Sequence, residues 1–204
     1  MKIYCIEGRV FSSNTYILEN NGEAFIFDPS VKESEISETL DKIGAKPAGI
    51  ILTHGHFDHT LTLSAVREKY GVPVMIHTQD DEMLSDSEKN AGKLLLWRRF
   101  DNAPADKTFD GGDVLTLGGG EVKVLHTPGH TKGSCCFIVD GIMISGDTIF
   151  AQGFGRYDLY GGDGAVLFKT LESFRQLDGQ LKIYPGHGES STLANALRSI
   201  GIIK

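Results

Sequence analysis

Four apolar runs of strand length end in short loops that contain glycine and a side chain able to bind a metal ion. The run "AGIILT" leads into "THGHFDHT" at residues 53–60, and "EVKVLHT" leads into a Pro-Gly turn that ends at His130. The runs "IMISGD" and "KIYPGH" end in the same way at Asp147 and His187. Glycine allows sharp turns and close approach, and loops on a rigid scaffold commonly carry functional sites. The pattern predicts that several strands deliver polar side chains to one place.

The donor side chains divide into two sets of three with one carboxylate left over. The first predicted set is His54, His56 and His130. The second predicted set is Asp58, His59 and His187. Asp147 remains, and its two carboxylate oxygens could bridge two ions. Nitrogen and carboxylate oxygen are typical zinc ligands, and so many titratable groups in one turn are costly without a cation.

The rest of the chain alternates between strand-like and helix-like patterns. Besides the four runs above, strands are predicted at "KIYCIEG", "NTYILEN", "EAFIFDPS", "VPVMIHT", "DVLTLGG" and "SCCFIVDG". Helices are predicted over residues 33–43, 60–70 and 190–200, and in a segment with Asp163 as its N-cap and Gly179 just past its end. Residues 79–110 lack a clear pattern, and we interpret them as an excursion that forms a lid or a partner surface.

Composition narrows the class of protein. The 204 residues are interpreted as a single domain, residues 1–204, and 40% hydrophobic residues are enough for a core. A net charge of −7 without a basic run argues against nucleic acid or an anionic membrane as a partner. Three cysteines, of which Cys135 and Cys136 are adjacent, do not form a disulfide framework. With no signal peptide and no membrane-length apolar run, the expected location is the cytoplasm.

Two further histidines are interpreted as structural. His77 ends an apolar strand without a glycine turn, and His126 lies one strand residue before the turn that carries His130. His126 could still contact a ligand from outside the metal coordination sphere.

The segments "THGHFDHT", "TPGHTKGS", "SGDTIF" and "PGHG", in this order, resemble the metallo-β-lactamase-fold hydrolases over essentially the whole chain. Within them, "GDTIFAQGFGRYDLYGGD" resembles the glyoxalase II-like branch, in which a Gly-x-Gly-Arg stretch follows the bridging aspartate. The resemblance implies a mixed α/β (α+β) fold, a four-layer αββα sandwich with metals at one edge between two sheets. It also implies the same ligand sets as above.

The resemblance has a limit. Full-length glyoxalase II carries an additional C-terminal helical domain with glutathione-binding residues, whereas this sequence ends soon after His187. Glutathione is therefore not the expected thiol carrier. Arg156 and Tyr157 of the glycine-rich loop are candidate substrate-binding residues, although an ion pair between Arg156 and Asp158 is an equally good interpretation of the arginine.

The donor set predicts hydrolytic chemistry with two divalent cations, zinc being favoured over iron or manganese. A hydroxide that bridges the two ions would attack the substrate, and Asp58 would orient the water as a catalytic residue. No general acid is evident. A thiolate leaves without protonation more easily than an amine, so a small acyl-thioester is the favoured substrate, ahead of a lactone or another ester.

Other activities remain open at this point. A persulfide dioxygenase-like oxidoreductase would use one iron at His54, His56, His130 and Asp147. A lactonase or other ester hydrolase of the same fold is a further alternative, whereas a nuclease is disfavoured by the acidic charge balance. The expected partner is a small molecule, and the oligomeric state is open, although "LLLWRRF" would make a buried contact.

Overall fold

Two six-stranded sheets form the centre of the computed structural model, which describes residues 1–204. The strands of the first sheet follow one another in chain order: β1 (Lys2–Ile6), β2 (Thr15–Asn20), β3 (Glu23–Phe27), β4 (Lys46–Ile51), β5 (Val74–His77) and β6 (Lys107–Phe109). The strands of the second sheet do the same: β7 (Val114–Leu117), β8 (Gly120–His126), β9 (Cys135–Val139), β10 (Ile142–Gly146), β11 (Lys182–Pro185) and β12 (Ser191–Thr192).

Six α-helices and two 3₁₀ turns connect the strands. The helices are α1 (Glu33–Ile43), α2 (Leu63–Tyr70), α3 (Asp81–Leu84), α4 (Gly92–Leu96), α5 (Gly164–Ser173) and α6 (Leu193–Ser199). The 3₁₀ turns are Phe57–His59 and Phe174–Gln176. Each of these helices is too short or too polar to cross a bilayer.

Strand β3 is apolar and buried from Ala24 to Phe27, after an exposed first residue, Glu23. Successive side chains of a strand point to opposite faces of the sheet. Ala24 and Ile26 face the layer beneath α1 and α2, and Phe25 and Phe27 face the second sheet. Because both faces are covered over these four residues, each of them favours an apolar side chain.

Three apolar layers hold the fold together and confirm the predicted αββα sandwich. The first lies between the outer face of the first sheet and helices α1 and α2, and includes Ile36. The second lies between the sheets, where the rings of Phe27 and Phe137 are 5.1 Å apart. The third lies between the second sheet and helices α5 and α6, and includes Leu171 and Ile183.

Strand direction brings many polar residues to one edge. Strands β3, β4 and β5 are parallel neighbours, and β8, β10 and β11 also share one direction because β8 and β10 are both antiparallel to β9. The carboxyl ends of each set therefore meet at one edge. The residues that follow these six ends include Asp28, His54, Asp80, His130, Asp147 and His187.

Most predicted elements are confirmed, although the helices predicted over residues 60–70 and 190–200 begin three residues later, at Leu63 and Leu193. Helix 33–43 is observed with those bounds and ends at Gly44, which has a φ of 66°. Gly179 does not end α5: the helix stops at Ser173 and a 3₁₀ turn follows, because the chain must turn there to enter β11. Residues 79–110 contain the short helices α3 and α4 and the strand β6.

Candidate metal centre

The first predicted ligand set lies together at the edge of the sandwich. The loop after β4 carries His54 and His56, and the loop after β8 carries His130. Nε2 of His130 lies 3.1 Å from Nε2 of His54 and 2.9 Å from Nδ1 of His56. All three side chains are buried. These nitrogen atoms form what we call the three-imidazole cluster.

The second predicted set lies beside the first. Asp58 and His59 belong to the 3₁₀ turn Phe57–His59, and His187 follows β11. Nε2 of His187 lies 3.2 Å from Oδ2 of Asp58. The ligand atoms of Asp58, His59 and His187 lie within 4.8 Å of one another.

Asp147 lies between the two sets, as a bridging carboxylate would. Its Oδ2 atom is 3.8 Å from Nε2 of His130 and 3.5 Å from Nε2 of His187, and its Oδ1 atom is 3.3 Å from Nε2 of His59. The structure thus brings together all seven residues that the sequence identified as candidate ligands.

Hydrogen bonds orient the imidazoles so that unprotonated nitrogen atoms face each other. Thr53 donates its hydroxyl hydrogen to Asp28 and can only accept from Nδ1 of His54, 3.1 Å away. Nδ1 of His130 donates to the carbonyl of Arg156 at 2.5 Å. In a neutral imidazole the other nitrogen then carries a lone pair. Lone pairs that meet at 3.1 Å repel unless a cation lies among them, so this donor set fits a divalent cation.

His59 of the second set is oriented in a similar way. Nδ1 of His59 donates to Oδ2 of Asp28 at 2.9 Å, so in the neutral ring Nε2 carries a lone pair. That atom faces Oδ1 of Asp147 at 3.3 Å without hydrogen-bond geometry, and both atoms are buried without a partner. Buried polar atoms are rarely left unpaired, and a cation would satisfy both.

Burial and neighbouring charges set the protonation of these groups. Burial, together with the surrounding imidazoles, holds the pKa of His54 well below its usual range and lowers the pKa of His56 to about 3. Burial by itself would raise the pKa of Asp147, but the neighbouring imidazoles, chiefly His59, together outweigh burial and lower that pKa. Burial also opposes a charge on His59, yet Asp147 and Asp28 raise its pKa well above the usual range. His54, His56 and Asp147 thus have the forms that bind metals, a neutral imidazole and an ionised carboxylate, whereas His59 would release a proton when an ion binds.

Gly186 makes room for the carboxylate of Asp147. A Cβ atom at this position would overlap Oδ1 of Asp147 and lie 2.5 Å from Cε1 of His59. The glycine of the "PGHG" segment is therefore required by close approach of a ligand as well as by the turn.

Two buried carboxylates of the site were missed by sequence reasoning. Asp28 accepts from Thr53 and His59, and Asp80 accepts from the backbone N–H groups of Gly55 and Gly133. Both follow the end of a strand, as the predicted ligands do, and this position is the feature of the sequence that could have identified them. Neither lies in a glycine-bearing turn with a histidine, so the sequence pattern passed over them.

The candidate substrate-binding residues of the glycine-rich loop lie in different places. Arg156 lines the cavity beside the candidate ligands, but Asp158 accepts from its Nε at 2.7 Å and its Nη2 at 2.8 Å. The ion pair that the sequence suggested is therefore present. Tyr157 is not among the cavity-lining residues, and its ring lies 6.3 Å from that of Phe168.

The two remaining histidines lie away from the candidate ligands. The rings of His77 and His126 stack at 4.3 Å with an interplanar angle of 11°. Nε2 of His126 contacts the carbonyl of Lys132 at 2.8 Å. Both histidines have partners of their own, in agreement with the structural interpretation.

Comparisons with known proteins agree with this architecture. A family model described as "Metallo-beta-lactamase superfamily" matches residues 8–187. The chain is 35% identical over 179 residues to "Probable metallo-hydrolase YqgX" of Bacillus subtilis (strain 168), with 86% of this chain and 85% of that protein covered. It is similar to the crystal structure of BLEG-1 B3 metallo-beta-lactamase, with a TM-score of 0.91, 33% identity and 97% of each chain covered. It is also similar to TTHA1623 in a di-iron-bound form, with a TM-score of 0.84, 28% identity, and 96% of this chain and 98% of that chain covered.

Proposed function

The chain belongs to the metallo-beta-lactamase superfamily, and from this premise we propose that it is a hydrolase of small acyl-thioesters that uses two divalent cations. One observation carries the proposal: seven buried or half-buried donors lie as two adjacent sets of three with Asp147 between them. This arrangement supports a pair of ions that share one carboxylate, as in the glyoxalase II-like branch. Zinc is the favoured metal, with iron and manganese as alternatives.

The cations would supply a water of lowered pKa and would withdraw charge from the substrate carbonyl. The side chains of the protein would hold the ions and orient the water that attacks the substrate. Asp58 lines the cavity; burial would raise its pKa, but the hydrogen bond with His187 lowers it, so the carboxylate stays ionised. An ionised carboxylate in this position can accept a hydrogen from water and fix its orientation.

The preference for a thioester follows from the lack of a proton donor in the cavity. Its ionisable lining consists of five of the seven candidate ligands and Arg156. A metal-bound imidazole or carboxylate is not free to donate a proton, and a guanidinium does not release one. The leaving group must then depart without a proton from the protein. A thiol with a pKa of about 8.5 can do so, whereas an amine cannot.

The likeness to BLEG-1 B3 metallo-beta-lactamase makes hydrolysis of a β-lactam the second candidate. The same lack of a proton donor counts against it, because opening a lactam releases an amine. An oxidation of persulfides with one iron at the three-imidazole cluster and Asp147, and the hydrolysis of a lactone or another ester, are the remaining alternatives.

Metal analysis combined with three assays tests the proposal. The purified protein is loaded with zinc, iron or manganese, and metal per chain is measured by elemental analysis. Release of thiol from acyl-thioesters, opening of a chromogenic cephalosporin and uptake of oxygen with a persulfide are then followed. We expect two ions per chain and thiol release as the dominant activity.

Variants link the activity to the site. His54→Ala and Asp147→Ala are each expected to lose metal and thioesterase activity together. His126→Ala is the matched control, since it removes an imidazole that lies outside the candidate ligands. Full activity in His54→Ala, a dominant cephalosporinase activity, or one iron per chain with oxygen uptake would each overturn the proposal.

A further inference from the structure

A cavity of about 350 Å³ opens beside the candidate ligands. Part of its lining consists of candidate ligands, among them His56, Asp58 and His187. Another part is apolar and consists of Phe57, Ala91, Leu95, Phe150 and Leu159. We call this the apolar wall. The volume lies at the lower end of the range for small-molecule sites.

The apolar wall is assembled from three separate parts of the chain. Phe57 belongs to the 3₁₀ turn of the site, and its ring lies 5.1 Å from that of Phe100. Ala91 and Leu95 come from the 79–110 excursion, with Leu95 on α4. Phe150 follows Asp147, and its ring stands edge-on to His187 at 6.1 Å. The wall thus reaches from the surface to the candidate ligands.

Apart from the candidate ligands, the charged side chain that lines the cavity is paired with a side chain of opposite charge. Arg156 is the one guanidinium or ammonium group that lines the cavity, and both of its contacts are to the carboxylate oxygens of Asp158. The ion pair with Arg156 lowers the pKa of Asp158 to about 2, so Asp158 is ionised at neutral pH. A carboxylate or phosphate on the substrate would find no unpaired cation on this side.

We propose that the apolar wall binds the acyl group of the substrate, so that the enzyme prefers thioesters of uncharged, medium-chain or aromatic acids. This inference rests on the proposed thioesterase function. The acyl group, and not the thiol, belongs at the wall because the departing sulfur gains negative charge, which an apolar surface disfavours. Hydroxylated acyl groups such as lactoyl would leave a hydroxyl without a partner there.

The first test varies the acyl group on one thiol. Thioesters of N-acetylcysteamine with acetyl, butanoyl, hexanoyl, benzoyl and lactoyl groups are compared with the zinc-loaded protein. Burial of each methylene is expected to raise kcat/KM about fourfold until the wall is filled. Hexanoyl and benzoyl esters should exceed the acetyl and lactoyl esters. A second series holds the acyl group at acetyl and varies the thiol, and no comparable trend is expected.

The second test uses two leucines of the same short helix. Leu95 lines the cavity and is 43% exposed, whereas Leu94 is 64% exposed and does not line it. Leu95→Ala should lower kcat/KM for the hexanoyl ester about tenfold, through KM, and lower kcat/KM for the acetyl ester by a much smaller factor. Leu94→Ala should leave both unchanged. Metal content should equal that of the parent protein in both variants.

The possible failures are distinguishable. Hydrolysis of all acyl groups at one rate, a trend that follows the thiol, or equal effects of the two leucine variants would overturn this inference and leave the proposed function standing. If the metal-loaded protein cleaves no thioester at all, the proposed function fails, and this inference fails with it.

Discussion

Asp80 is a buried carboxylate that connects the two loops of the three-imidazole cluster without being a candidate ligand itself. Its Oδ2 accepts from the N–H of Gly55 at 3.2 Å and from the hydroxyl of Thr131 at 2.6 Å, and its Oδ1 accepts from the N–H of Gly133 at 2.7 Å. Burial raises the pKa of Asp80, although these hydrogen bonds oppose the shift. Asp80 therefore fixes the distance between the loop of His56 and the loop of His130.

Asp80→Asn should weaken metal binding at the three-imidazole cluster. An amide offers one acceptor oxygen in place of two, so a backbone N–H would face an NH₂ group and stay unpaired, at a cost of about 1–3 kcal/mol. We expect metal affinity to fall about tenfold. Competition with a chromogenic chelator measures the affinity directly.

Asp81→Asn is the matched control for that experiment. Asp81 also accepts from a backbone N–H, that of Ala105 at 2.8 Å, but it does not contact the loops of the cluster. Equal metal affinity in Asp80→Asn and the parent protein would show that Asp80 does not position the cluster.

Gly186→Ala should displace the carboxylate of Asp147. The added Cβ would overlap Oδ1 of Asp147, so either the carboxylate or the loop of His187 must shift. We expect the variant to hold fewer than two ions per chain at metal concentrations that saturate the parent protein. Elemental analysis after gel filtration reports the stoichiometry.

Glu189→Ala changes an exposed residue of the same loop and serves as the control. A Gly186→Ala protein with two tightly held ions would contradict the reason given for this glycine.

The three cysteines should differ in reactivity. Cys5 is exposed, whereas Cys135 and Cys136 are buried, and burial raises the pKa of Cys136 to about 11. Because the thiolate is the reactive form, Cys135 and Cys136 should not react with Ellman's reagent at pH 7 while the protein is folded. One thiol per chain is expected in buffer and three in guanidinium chloride. Reaction of three thiols in the native protein would contradict the observed packing.

Helix α5 supports the loop that carries His130. The carboxylate of Asp163 accepts from the N–H of Val166 at 3.0 Å, and the backbone N–H of Asp163 donates to the carbonyl of Gly129 at 2.9 Å. Gly129 lies so close to the first turn of the helix that a Cβ there would overlap the backbone of Leu167 and lie 2.6 Å from its Cβ. The start of the helix thus sets the position of the Pro-Gly-His turn.

Asp163→Ala should destabilise the protein by about 1 kcal/mol through loss of the N-cap. Urea unfolding followed by circular dichroism measures the free energy. Asp163→Asn keeps an acceptor oxygen at the cap and should lie close to the parent protein. If alanine and asparagine give the same free energy of unfolding, the cap contributes nothing.

The excursion at residues 79–110 shows where element prediction fails. Helices α3 and α4 span only four and five residues, and a periodic pattern cannot develop over so few positions. Trp97, which is 90% exposed, has a φ of 55° at the end of α4. The segment "LLLWRRF" therefore has neither the pattern of a buried helix nor that of a strand.

Metal removal should lower the stability of the whole molecule. The seven candidate ligands come from loops after β4, β8, β10 and β11, so bound ions would tie both sheets together. Ions that bind the folded chain and not the unfolded one stabilise it by mass action. Dialysis against a chelator should lower Tm by about 5–10 °C. Differential scanning calorimetry before and after zinc is restored provides the measurement, and an unchanged Tm would indicate that no ion links the sheets.

The amino-acid sequence by itself determined ten of the twelve strands, the longer helices and the types of the candidate ligands, but not the short strands β6 and β12. Apolar runs that end in glycine-bearing loops follow local rules, and these rules place His54, His130, Asp147 and His187 at strand ends without knowledge of the fold. The family resemblance supplied the two sheets and the layer order.

Only the tertiary structure decided which polar groups hydrogen-bond to the candidate ligands and their loops, and which side chains line the cavity beside them. Asp80 contacts Gly133 across 53 positions of the chain, and the carbonyl of Arg156 orients His130 across 26. Such contacts depend on how the two sheets are aligned, and a local pattern contains no information on that alignment. The neutralised charge of Arg156 and the apolar wall beside it are set by the same packing.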